Sequence, residues 1–198
     1  KTIALAHDAA FAFVYAANLR TLQGMGARIA TFSPLADEAI PAHADALWLP
    51  GGYPELHGAT LAANTRWLAS VQAFAAAGKP VWAECGGMMA LTEQLHDGQG
   101  QAHRMAGVLP GSVRMTAKLA GLGSQGWPHP AGELRGHTFH YSQFDTPLPA
   151  AVTCQRKAGG SPGEAVYRHG SVQASYFHAY FASQPAAAAA LFMPEAAC

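Results

Sequence analysis

Five consecutive residues, Ala83-Glu84-Cys85-Gly86-Gly87, carry the most chemically pointed spacing in this 198-residue chain. A cysteine with a small residue two places before it and another two places after it fits a sharp strand-to-helix turn, because the two elements approach most closely at those flanking positions. Pro80 to Glu84 reads as a buried strand and Met88 to Leu95 as a helix, so Cys85 would stand on the turn between them. The thiol is then expected to be exposed at a helix N-terminus, where free N–H groups and the helix dipole favour the reactive thiolate. The N–H of Gly86 would face an oxyanion formed on a substrate. The competing reading is a structural cysteine buried beside a glycine turn.

A second motif, Leu49-Pro50-Gly51-Gly52-Tyr53-Pro54-Glu55, closes another strand-like run. Two glycines at the carboxyl end of a parallel strand lie where open α/β sheets place their ligands. Without a Cβ, Gly52 can turn its N–H toward the same oxyanion. Pro-Gly-Gly also makes ordinary turns, and no Gly-Lys-Ser/Thr follows, so this is not a phosphate loop. A cysteine nucleophile needs a base. Ser171 to Ser175 reads as a strand, and His178 follows it just before the last helix, on the sheet edge expected for Cys85. His7, His137 and His140 are the rivals for that role.

These residues need a frame to hold them. Short apolar runs at 2–6, 27–32, 46–49 and 80–84 read as strands. Apolar spacing predicts helices from Phe11 to Met25, ended by Gly24 and Gly26, and from Leu61 to Ala77, ended by Gly78-Lys79-Pro80. Strands alternating with helices at these lengths indicate an α/β fold, a mostly parallel sheet with helices on both faces. After Gly98 the texture changes. Val108 to Met115, Gly132 to Phe144 and Ser171 to Ser175 look like strands between Gly/Pro-rich turns, so a smaller antiparallel part should join the sheet. An Ala-rich helix from Phe181 to Leu191, interrupted at Pro185, ends the chain. One domain, 1–198, accounts for the length.

Composition narrows the chemistry. Half of the residues are hydrophobic and 12% are charged, with 12 basic and 12 acidic side chains. A deeply buried sheet or a partner-covered surface would explain that low charge density. The zero balance gives no reason to expect nucleic acid or an acidic membrane as a ligand. No apolar run approaches the ~20 residues of a membrane span, and no signal peptide is recognisable, so a cytoplasmic location is expected. The three cysteines, Cys85, Cys154 and Cys198, form no CxxC pair. The ten histidines are scattered, and His137 and His140, three apart in a strand-like segment, point to opposite faces; no metal site is expected.

With these pieces assembled, the chain resembles the class I glutamine amidotransferase domain. It is most like the version in the cobyrinic acid a,c-diamide synthase family of corrinoid biosynthesis. The matching stretches are Asp8 to Tyr15 with Asn18-Leu19, Phe32 to Leu35, Leu49 to Glu55, Ala83 to Met88, Arg135-Gly136-His137 with Phe139 to Ser142, and Ala174 to His178. The resemblance implies a flavodoxin-like sheet in which Cys85 attacks the side-chain amide of glutamine, with His178 as base and Gly52 and Gly86 holding the oxyanion. Glu55, His140, Ser142 and Phe13 become candidate contacts to substrate or to a neighbouring domain. No cofactor is implied for this domain. ATP and Mg²⁺ are implied for a synthetase domain earlier in the same polypeptide, which activates acetate side chains a and c of a corrin acceptor. The abrupt start at Lys1, directly before a strand, fits a domain cut from such a polypeptide. One position departs from many class I members, which have Glu two residues after the histidine. Here it is Tyr180; the corrinoid branch generally lacks that Glu, which supports the resemblance to it and leaves open the group that orients His178. Competing readings are an amidotransferase for another tetrapyrrole such as sirohydrochlorin, another cysteine hydrolase or chaperone of the same fold, a non-catalytic binding module, and a structural interaction domain.

Overall fold

In the computed structural model, which describes residues 1–193, three parallel strands are buried at every residue: β1 (Thr2–Ala6), β3 (Ala46–Leu49) and β4 (Val81–Glu84). Near-continuous apolar runs are what strands covered on both faces require. Together with β2 (Arg28–Phe32) and β13 (Val172–Ser175) they pair in parallel in the order β2-β1-β3-β4-β13. That order is the flavodoxin-like doubly wound one. Side chains alternate between two apolar layers. Ala4, Leu47, Leu49, Val81 and Ala83 face α2 (Gly58–Ala63), α3 (Thr65–Ala76) and α4 (Gly86–Leu91). Ile3, Leu5, Trp48 and Trp82 face α1 (Ala16–Gly24) and α5 (Pro185–Ala190). All four tryptophans are fully buried.

The antiparallel part is more extensive than its sequence pattern suggested. Beyond β13 the ten-stranded sheet continues through β12 (Pro162–His169), β11 (Ala150–Arg156), β8 (Gly121–His129), β9 (Gly132–His140) and β14 (His178–Ala179). A second sheet, ordered β10 (Ser142–Asp145), β7 (Leu109–Met115), β5 (Thr92–His96) and β6 (Ala102–Arg104), packs Leu95, Leu109 and Val113 on the α4 side. The expected strand from Gly132 to Phe144 is therefore two strands in different sheets. Ser171 to Ser175 holds the junction of the two halves: β13 pairs in parallel with β4 on one side and antiparallel with β12 on the other.

All four expected helices change. The first begins at Ala16, and residues 7–15 form a loop. Its backbone groups are taken elsewhere: Phe13 N–H donates to Gly51, Tyr53 N–H to Ala10, and Asp8 accepts from Ala10, Ser33 and Leu35. Helix spacing there was coincidental, with Phe11 in one apolar layer and Val14 packed against the other. The second breaks at Asn64, whose amide donates to the carbonyls of Pro34 and Leu35. The third stops at Leu91, and residues 92–96 become β5. The fourth is interrupted at Pro185 as expected: a short turn, Phe181–Ser183, precedes it, and Pro185 starts α5, as suits a residue with no N–H to give. Cys198 lies outside the described residues.

Candidate active site

The turn between β4 and α4 is a strained one. Cys85 has φ 44° and ψ −106°, one of two non-glycine residues with positive φ among the described residues. Such a conformation costs about 1–3 kcal/mol and persists only where its surroundings over-determine it. They do so here. The Cys85 N–H donates to Ser175 on β13 at 2.7 Å, and the Cys85 carbonyl receives Met89 of α4. A Cβ on Gly87 would lie 2.1 Å from the Leu49 carbonyl oxygen, so the small residue two places after the cysteine is obligatory.

Gly51 and Gly52, just past β3, complete the edge. A Cβ on Gly52 would strike the Ala10 carbonyl at 2.0 Å, and one on Gly86 would come within 2.9 Å of the Gly52 nitrogen. The two glycines therefore face each other across the elbow. Among the described residues, neither of their N–H groups donates to a backbone carbonyl. A cavity of about 50 Å³ beside them is lined by Cys85, Gly52, Glu55, His140, Ser142 and Phe13, with Tyr53, Met89, Phe139 and Tyr141 among its walls. Six of the eight candidate residues thus meet at one place.

His178 stands at the same edge of the sheet, three residues beyond the partner of Glu84 on β13. Its ring lies on Gly51, where a Cβ would be 2.3 Å from Cε1, and it stacks on His137 with centroids 5.0 Å apart. No hydrogen bond joins it to Cys85, and its buried Nδ1 has no partner among the described residues. It lines a separate cavity of about 400 Å³ that shares Phe13 and Phe139 with the cavity of Cys85. Phe13 and Phe139 thus line both the cavity of the thiol and that of the imidazole. Of the rivals, His140 has both ring nitrogens engaged, by the Ser142 carbonyl and Glu164, and stacks face to face on Tyr176 at 3.6 Å. His7 is exposed, and His137 serves as the stacking partner.

The expected exposed, thiolate-favouring environment of Cys85 is not what the structure has. Cys85 is 5% exposed, and burial pushes its thiol up to about 12; the Gly86 N–H opposes this, while Glu55, Glu84 and Glu164 add to it. Helix α4 has only six residues and little dipole to offer. Burial, followed by His137 and His140, pushes His178 down to about 3, so the resting pair is thiol and neutral imidazole. Burial also raises the Glu55 carboxyl beside the cavity.

Several site residues were not singled out from sequence: Gly51 as the seat of the imidazole, His137 as its stacking partner, and Tyr176, whose hydroxyl receives that of Ser142 at 2.9 Å. Glu84 is 1% exposed and accepts from Trp82 Nε1 at 2.7 Å and from the Ala179 N–H at 3.3 Å. A carboxyl inside a strand that otherwise reads as buried was its available signal. Among the described residues, no group of three His, Cys, Asp or Glu side chains is arranged to hold a metal, and no helix is long and apolar enough to cross a membrane.

Fold and site together define a doubly wound α/β domain with a cysteine on a strand-to-helix elbow, facing a glycine loop on the neighbouring strand. The family model of the CobB/CobQ-like glutamine amidotransferase domain matches residues 2–186, and the chain belongs to that family. The cobyrinate a,c-diamide synthase of Herminiimonas arsenicoxydans is 54% identical over 195 residues, covering 98% of this chain and 44% of that protein. The hydrogenobyrinate a,c-diamide synthase of Pseudomonas aeruginosa is 47% identical over 192 residues, covering 97% and 44%. The chain spans less than half the length of these curated relatives. A solved structure described as a glutamine amidotransferase has a TM-score of 0.66 at 18% identity, covering 96% of both chains, a likeness of fold.

Proposed function

We propose that this domain hydrolyses glutamine at Cys85 and delivers the ammonia to an ATP-dependent synthetase in the same polypeptide. The observation that carries the reading is the strained Cys85 elbow facing the Gly52 and Gly86 backbone in a chain of this family. Substrate entry brings the imidazole into reach of the thiol, and His178 takes its proton as Sγ attacks the glutamine side-chain carbonyl. The N–H groups of Gly52 and Gly86 receive the oxyanion. The C–N bond breaks, the proton on His178 leaves with ammonia, and water then hydrolyses the glutamyl thioester, returning glutamate and the thiol.

The burial of Cys85 in a small, aromatic-lined cavity supports a further part of this reading. The isolated chain rests closed and is a poor glutaminase, and contact of the Phe13 region with the synthetase domain opens it, restraining hydrolysis when no acceptor is activated. ATP and Mg²⁺ act on that other domain. The names of the curated relatives support acetates a and c of a corrin as the acceptor over sirohydrochlorin. Comparing glutamate release by this chain with that of the complete polypeptide given ATP and corrin acid tests the reading. Release should require Cys85 and rise with ATP and acceptor. Equal rates in both contexts would remove the coupling, and release unchanged in Cys85→Ala would remove the site.

A further inference from the structure

Among the described residues, no side-chain hydrogen bond directs the His178 ring. Its Nδ1 has no partner among the described residues, and Tyr180 occupies the position from which a carboxylate could have held the ring. The ring rests between His137 and Gly51, contacts that limit its tilt but leave its advance toward Cys85 to the backbone. That backbone is gripped on several sides. The Ala179 N–H, in the peptide directly after His178, donates to Glu84 Oε1 at 3.3 Å. The Ala179 carbonyl receives Asn18 Nδ2 at 2.8 Å, Asn18 Oδ1 receives the Phe181 N–H at 2.9 Å, and the Tyr180 N–H donates to Arg135 of β9. Trp82 Nε1 donates to the same Glu84 oxygen at 2.7 Å and so fixes the carboxyl's rotamer.

We propose that Glu84 is the positioning residue for His178: its buried carboxyl holds the peptide that follows the histidine while its own backbone carries Cys85, so one residue sets the spacing of base and nucleophile. Asn18 holds the next peptide from the other side. A carboxyl in this strand is costly to bury, and an aliphatic side chain would fill the space without that cost. Burial pushes Glu84 up to about 8, so at neutral pH it acts chiefly as an uncharged hydrogen-bond acceptor. Its acceptor oxygen is what the arrangement uses.

The inference rests on His178 being the base of glutamine hydrolysis, and the experiment separates the two. In the complete polypeptide that carries this chain, glutamate release is measured for Glu84→Leu, Glu84→Asp and Glu84→Gln, each with and without His178→Asn. Leu offers no acceptor and Asp is one methylene short, so both should lower kcat about 10- to 100-fold, the scale of a misplacement near 1 Å, with KM for glutamine within about twofold. Gln keeps an acceptor for the Ala179 N–H and should stay within about threefold of the parent. In the His178→Asn background, Glu84→Leu should cost less than about twofold more, because a residue acting only through His178 has nothing left to position. A full additional loss in that background would assign Glu84 to the fold alone and overturn the proposal, as would a normal kcat in both Leu and Asp. If thermal unfolding shows that the Leu variant does not fold, the Asp and Gln variants carry the same cycle. His178→Asn at the parent rate would overturn the base assignment itself, whereas a slow His178→Asn with normal Glu84 variants would overturn the positioning role only.

Discussion

The two halves of the large sheet divide the work differently. In the parallel half, β1, β3 and β4 are buried throughout, and the chemistry-bearing groups sit at strand ends: Cys85 after β4, Gly51 and Gly52 after β3. In the antiparallel half, β8 and β9 carry many exposed residues, among them Leu122 and Phe139. His137, His140 and Phe139 of β9 stack on or line the site. His178 belongs to both, following a parallel strand by three residues and then pairing antiparallel with His137. On the function proposed above, the parallel half sets which atoms react, while the antiparallel half sets when they meet.

If that division holds, substitutions at the parallel edge should be severe in proportion to their contact with the reacting atoms. Cys85→Ala should abolish glutamine-dependent activity of the complete polypeptide and spare activity with free ammonia; loss of both would give the cysteine a role in the fold or the synthetase step. His178→Asn should slow thioester formation by roughly 10²–10⁴-fold, the range for a positioned acid–base group, seen in single-turnover glutamate release. If His140→Asn were the dead variant instead, the base would belong to the antiparallel half and the comparison would fail. Gly51→Ala should follow with a loss of about 10- to 100-fold, because a new Cβ 2.3 Å from His178 Cε1 displaces a ring already held by His137. Normal turnover in that variant would show the ring free to move.

Smaller effects should sharpen the contrast. Glu84 has its folded-state pKa raised from 4.5 to about 8, so its protonated form is favoured by folding. Its contribution to stability is full below pH 4.5 and is lost as pH rises through 8. Glu84→Gln should therefore raise Tm over the parent by an amount that grows between those values and levels off above, several degrees at most, by calorimetry. A gain independent of pH would mean that Glu84 is ionised in the fold. The smallest effect is expected in the cover: Phe139→Ala should speed alkylation of Cys85 in the isolated chain a few-fold by opening the lining that the two cavities share, with Tm little changed. No change in alkylation would place the barrier at Phe13 and Tyr53, which pack edge to face at 4.9 Å.

The same division governs what the sequence reveals. Buried parallel strands are continuous apolar runs, so 2–6, 46–49 and 80–84 are readable, as is a cysteine between small residues. The strands at 121–129, 150–156 and 162–169 were not singled out, because one-sided burial and glycines at 121, 123, 126 and 163 break their alternation. The loop at 7–15 mimics a helix since its apolar residues serve two different layers, which spacing cannot distinguish. Elbow geometry was legible at Cys85, whereas its burial was not: exposure depends on Phe13, Phe139 and Tyr141 arriving from distant segments.

The central claim, that Cys85 is the thiol of glutamine chemistry and His178 its base, is tested most directly by covalent labelling. The complete polypeptide with ATP and acceptor is treated with a glutamine-mimicking electrophile such as 6-diazo-5-oxo-norleucine, and the modified residue is identified by mass spectrometry. The account predicts adducts on Cys85 and not on Cys154 or Cys198, formed at least about 100-fold more slowly in His178→Asn. An inert Cys85 beside a labelled Cys154 or Cys198, or labelling of Cys85 at the same rate without His178, would contradict it.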